Sequence, residues 1–113
     1  MITELEQAGV LVPKIDLVAT GKAVMKIAAD SEASHDLRVS AFHTCCDRKL
    51  HGVLKDARRV AGDKNETTVV RKAAIFAIGK MGTKHDLKML TALLLESDLM
   101  SEAARPAIER IKE

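Results

Sequence analysis

The chain repeats itself, and that restricts its fold more than any single motif. Shifted by thirty-three residues, Leu17 meets Leu50, Lys22 meets Lys55, Ala28 meets Ala61, Asp30 meets Asp63, Arg38 meets Arg71 and Ala41 meets Ala74. The same shift carries Leu54 onto Leu87 and Lys55 onto Lys88. It then shortens to thirty, where Ala73, Ala74, Ala77 and Ile78 meet Ala103, Ala104, Ala107 and Ile108. A turn between the last two helices has therefore lost three residues. Self-similarity at this period is the mark of a solenoid, because one helix pair of this length cannot bury its apolar face without stacking on copies of itself. Such slabs bind more often than they catalyse.

The 113 residues make a single domain whose core is drawn from small and aliphatic side chains, for there is no Trp or Tyr and only Phe42 and Phe76 are aromatic. Proline occurs only at positions 13 and 106, which favours helix. A net charge of +2 with both signs abundant argues against a protein mainly devoted to wrapping nucleic acid, although a local basic face remains compatible with it. The N-terminus lacks a basic segment followed by an apolar run. No stretch approaches the ~20 apolar residues of a bilayer span. The adjacent Cys45 and Cys46 make no disulfide framework and suit a reducing compartment. A cytoplasmic protein is expected.

Punctuation at Asp30, Gly62-Asp63, Gly82-Thr83 and Ser97-Asp98 divides the chain into apolar stripes at helical spacing. Gly82 suits the position after a helix, and Thr83 with Asp86 suits the start of the next. The expectation is all-α: a short leading helix near 2–9, then helix pairs at about 14–29 and 36–47, 49–61 and 67–81, and 85–96 and 99–112. The repeats span about 13–47, 48–82 and 83–113 of one domain, 1–113.

Here the chain resembles the HEAT repeat family. Asp63 at the turn, Val70-Arg71, Ala73-Ala74 and Ala77-Ile78-Gly79 carry the resemblance, echoed by Asp30, Leu37-Arg38 and Ala41. It implies an α-α superhelix of three antiparallel pairs, with the Val-Arg helices lining the concave side, and a role in protein–protein interaction. It also implies that each turn Asp ties to the Arg of the following helix, so that Asp30 with Arg38 and Asp63 with Arg71 orient the stack. The third copy departs from the pattern. Ser101 stands where Arg71 would be, and Pro106 predicts a kink or a terminal cap. HEAT-like proteins include a phycobilisome-lyase branch and alkylpurine glycosylases, so an enzyme is a third, weaker reading.

Chemistry-bearing clusters are sparse. His43, Cys45, Cys46 and His51 are zinc-type ligands, yet neighbouring cysteines on a helix diverge by about 100° and match no paired zinc spacing. Cys45 aligns with Ile78 and Ile108 and reads as core, whereas Cys46 aligns with Gly79 and is expected to face outward. Cys46 and His43 lack a third group to complete a nucleophilic site. No metal, cofactor or catalytic residue is assigned, and the protein is read as a non-enzyme.

Two surfaces remain as candidates. If Val70, Ala74, Ala77, Ile78 and Met81 face the core, then Lys72, Ile75, Phe76 and Gly79 point the other way, as do Val39, Phe42, His43 and Cys46 one repeat earlier. Val39, Phe42, His43, Lys72, Ile75 and Phe76 are therefore the expected binding residues for a protein partner, with Phe42, Ile75 and Phe76 as anchors. Neighbouring helices covering these side chains is the competing possibility, and self-association is another. The alternative surface is a row of Lys22, Lys55 and Lys88 on the first helices, with Lys26, Arg58 and Arg59 nearby, able to bind nucleic acid or an acidic partner. Asp56, Asp86 and Glu96 dilute its field, so it reads first as a solvated helix face and only second as an anion track.

Overall fold

The computed structural model describes residues 21–113. The leading helix near 2–9 and the beginning of the helix expected at 14–29 lie outside them. The described residues hold helices and turns and no strand. We label the helices α1 (Gly21–Ala29), α2 (His35–Asp47), α3 (Leu54–Gly62), α4 (Thr68–Met81), α5 (Leu87–Leu94) and α6 (Asp98–Lys112). Single 3-10 turns, His51–Val53 and Lys84–Asp86, lead into α3 and α5.

The sequence period reappears in the elements. A shift of thirty-three carries the first 3-10 turn onto the second and the start of α2 onto that of α4, and a shift of thirty carries the start of α4 onto that of α6. The lost residues fall where the sequence puts them: the turn at 63–67 becomes 95–97 and the helix before it is one residue shorter.

The caps explain the boundaries. Ser34 Oγ accepts the Leu37 N–H and Ser97 Oγ accepts the Met100 N–H, each at 3.2 Å, satisfying donors that the first helical turn leaves free. Thr67 holds the same place before α4, but its hydroxyl is buried without a hydrogen-bond partner among the described residues. Thr83 and Asp86 form the expected box, closing on the 3-10 turn rather than directly on α5. Gly82 ends α4 in extended backbone, with φ −74° and ψ −176°, so no left-handed conformation calls for glycine here. Space does: a Cβ would lie 2.5 Å from the Ile78 carbonyl oxygen. The left-handed residue is instead Lys49, at φ 55° beyond the end of α2. Pro106 does not end its helix, and α6 runs through it to Lys112.

Each odd-numbered helix packs on the even-numbered one that follows, and α2, α4 and α6 lie side by side with α4 between. The odd-numbered helices touch one another far less. Helix α4 is consequently covered on several sides, burying Val70, Ala73, Ala74, Ile75, Ala77 and Ile78 together. Its many alanines and Gly79 let neighbouring backbones approach closely, which larger side chains would prevent.

Two buried arginines join successive pairs. Arg71 donates through Nε and Nη2 to the Ala61 carbonyl at the end of α3 (3.0 and 2.8 Å) and through Nη1 and Nη2 to Glu96 before α6 (2.6 and 2.8 Å). Arg38 repeats the arrangement one step earlier, with Nε on the Ala28 carbonyl at 3.1 Å and Nη1 on Glu66 at 2.8 Å. The tie is thus arginine to glutamate, not the expected arginine to aspartate. Asp30 and Asp63 are used locally, accepting the Glu32 and Asn65 N–H groups at 2.8 and 2.9 Å to close their turns. Reach suits the glutamates: one extra methylene carries the carboxylates of Glu66 and Glu96, which come from the next turn, to the buried guanidinium groups. The Glu96 hydrogen bond, opposed by burial and helped by the charges of Glu96 and Asp63, holds Arg71 above its ordinary pKa. Glu96 is correspondingly held low, first by its hydrogen bond to Arg71.

Candidate functional site

Along an α-helix, residues four apart stand one above the other. Positions 39, 43 and 47 of α2, 72, 76 and 80 of α4, and 102, 106 and 110 of α6 therefore make three columns related by the repeat. Read across the helices, the rows are Val39–Lys72–Glu102, His43–Phe76–Pro106 and Asp47–Lys80–Arg110. All nine side chains are exposed or half-buried, and they form one face of the even-numbered helices.

Phe76 is the centre of this face. The His43 ring lies 4.7 Å from it, centroid to centroid and tilted by 41°, and Lys80 Nζ lies 5.7 Å from its centroid on α4 itself. Between α4 and α6 runs a groove of about 320 Å³ lined by Phe76, Gly79, Ala103, Pro106 and Ala107 together with the charged Lys72, Glu102 and Arg110. Gly79 and Arg110 are shared with an adjoining depression of about 430 Å³ bordered by Cys46, Lys49, His51, Lys80 and Glu113. Such an arrangement can hold an apolar side chain between cations. Neither basin is enclosed enough to shield a reaction from water.

The structure brings together His43, Lys72 and Phe76 of the expected binding set, with half-buried Val39 at the edge of the same face. It removes Phe42 and Ile75, both of which have no exposed surface. They cannot be contact anchors in this conformation. An outward direction was expected because a single stripe on each helix was assigned to the core, but α2 and α4 are flanked by the following pair and need a second apolar stripe. A signal for this lies in the repeat: the position of Phe42 and Ile75 is Arg105 in the third copy, on α6, where the side chain is exposed among the described residues. Cys46 and Gly79 give the same lesson, both buried while their equivalent Glu109 is exposed. Pro106, Arg110, Lys80 and the two glutamates of the arginine ties were all missed. Glu66 and Glu96, thirty apart, could have been found from the shift itself.

On the opposite helices, Lys22, Lys26, Lys55, Arg59 and Lys88 are all exposed. Arg59 is drawn aside by Asp56 at 3.4 Å and the Ala29 carbonyl at 3.3 Å. Arg58, expected beside them, is committed to Asp86 through two hydrogen bonds of 2.6 and 3.0 Å. Burial alone would raise the Asp86 carboxyl, yet Arg58 and the Thr83 N–H outweigh it and bring the group below the usual range.

The thiols are protected. Cys45 is core as expected, but Cys46 is also buried, contrary to its expected outward direction. Burial first, then neighbouring negative charge, pushes both thiols up to about 11. At neutral pH they are neutral and poor nucleophiles. Among the described residues no group of three metal-ligating side chains converges, and no helix is long and apolar enough to cross a membrane. Comparison of the chain with protein-family models, curated proteins and solved structures finds no match in any of the three.

Proposed function

We propose that this protein is a non-catalytic scaffold or adaptor of three HEAT-like helix pairs, working in the cytoplasm and binding a protein partner through the face of α2, α4 and α6. The reading is supported by the repeat of thirty-three and thirty residues, by the arginine ties that recur with it, and by one observation above the rest. Phe76 stays half-exposed at the centre of a regular grid while the other phenylalanine is wholly buried. A ring held in that state, beside a groove and under a cation, is suited to a partner's apolar side chain.

The test is a photo-crosslinking amino acid at position 76, with a second at position 88 on the opposite side, followed by capture from a cytosolic extract. A protein adduct formed at 76 and not at 88 supports the reading. Equal adducts at both positions, or none at either, count against it.

A second reading keeps the exposed Lys22, Lys26, Lys55, Arg59 and Lys88 as an anion-binding row for nucleic acid or an acidic partner, favoured by the exposure of all five. It is weakened at Arg59, whose guanidinium already has an internal partner.

A further inference from the structure

Among the described residues, some arginines are committed to internal carboxylates. Arg38, Arg58, Arg59 and Arg71 each hold a carboxylate within 2.6 to 3.4 Å. Lys72, Lys80 and Arg110 form no ion pair with any described residue, although they share one face and border two adjoining depressions, Arg110 being common to both. Internal ties thus occupy the four arginines and leave these three cations without a carboxylate.

These three cations stand around an apolar lining. Phe76, Ala103 and Pro106 form it, and the buried Gly79 and Ala107 meet where α4 and α6 pass in close contact. Around the joined depressions stand Lys49, Lys72, Lys80 and Arg110 against Glu102 and Glu113, four cations to two carboxylates. A complementary ligand therefore carries negative charge at its edges and an apolar group at its centre.

We propose that the α4–α6 groove takes an acidic peptide segment of a partner protein, with an apolar side chain on Phe76 and Pro106 and carboxylates at Lys72, Lys80 and Arg110. This rests on the protein-binding reading given above and adds the chemistry of the partner. Glu102 and Glu113 favour a peptide over nucleic acid, because a peptide can leave a gap in its charges where a phosphate backbone cannot.

Phage display of random dodecapeptides on the immobilised full chain tests the proposal. The selected peptides should be net acidic with a Leu, Ile, Met or Phe. As synthetic peptides they should bind at least about tenfold more weakly to Lys80→Glu/Arg110→Glu, consistent with reversal of two interfacial charges. Both positions are exposed, so the variant should melt as the wild type does. Phe76→Ser should weaken binding as well, while Lys22→Gln/Lys88→Gln should leave it unchanged. Neutral or basic peptides that lose binding to Phe76→Ser would overturn the acidic class and leave the partner-binding face standing. Peptides indifferent to every groove variant, or no enrichment at all, would overturn both. A single-stranded DNA twenty-mer that competes the peptide off and is itself lost in Lys80→Glu/Arg110→Glu would overturn the choice of peptide over nucleic acid.

Discussion

Gly79 on α4 and Ala107 on α6 pass so close that a Cβ built on Gly79 would sit 2.8 Å from both the Cα and the Cβ of Ala107. The obstacle is backbone, which cannot swing aside like the end of a long side chain. Gly79→Ala should therefore destabilise the fold by about 1–3 kcal/mol, the range for overpacking, despite the alanine's better helix propensity. Gly62, the last residue of α3, is the internal control, since nothing lies within 4 Å of its Cβ position. Gly62→Ala should stabilise by about 0.5–1 kcal/mol. Urea midpoints at unchanged slope would check both, and equal shifts of the same sign would contradict the close approach.

The two arginine ties should differ in strength. Arg71 makes four hydrogen bonds to Ala61 and Glu96, whereas Arg38 makes two and leaves its Nη2 buried without a partner among the described residues. Arg71→Ala should cost about 3–5 kcal/mol, as breaking a buried pair does, and Arg38→Ala should cost less.

Acid should expose the same ties. The Glu96 and Asp86 carboxyls are held below their ordinary range of about 4, so between the native and unfolded values the unfolded chain binds more protons. Their contribution to stability is complete above about pH 5 and is lost as pH falls through the native values. Melting temperature followed down to acid pH should show a shallower decline in Glu96→Gln than in wild type. An unchanged slope would mean that the carboxylate is not held low by Arg71.

Phe42 and Phe76 should now respond oppositely to the same change. Phe42→Asp places a charge in a fully buried site and removes a ring worth about 3–5 kcal/mol of packing, so it should unfold the chain. Phe76→Asp sits on the half-exposed face and should keep its circular dichroism while losing whatever binds there. If both variants fold, or both unfold, the division between core and face is wrong.

How far the sequence can be read follows from this pair. Helices, turns and the place of the three-residue loss were legible because they depend on local spacing and on start signals such as Thr83 and Ser97. Core against surface was legible for Ala74 and Ile78, which share one stripe. It failed for Phe42, Ile75 and Cys46, whose burial depends on the next pair arriving alongside. The arginine partners failed for the same reason, because a family pattern offered Asp30 and Asp63 while the distance between pairs calls for glutamate.

The row on the odd-numbered helices makes its own prediction. Replacing Lys22, Lys55 and Lys88 together with Gln should scarcely change the melting temperature, because exposed charges contribute little one by one. If the row tracks an anionic polymer, the triple variant should bind it more weakly and lower the slope of log affinity against log salt by up to about 3. Wild type that binds no nucleic acid at low salt would end that reading.

The thiols provide the last prediction, on the alkaline side. An unfolded cysteine ionises near pH 8.5, whereas burial has pushed Cys45 and Cys46 up to about 11. The native state thus keeps its protons where the unfolded state has lost them. Stability contributed this way is intact below about pH 8.5 and drains away as pH rises toward 11, the reverse of the acid case. A Cys45→Ala/Cys46→Ala variant should lose stability less steeply above pH 9, even if its starting stability is lower. At neutral pH a disulfide reagent should label the native chain slowly and the urea-unfolded chain at once, because only an opened structure supplies thiolate. Rapid labelling of one thiol in the native protein at pH 7 would return Cys46 to the surface, and the contact between α2 and α4 that covers it would have to be redrawn.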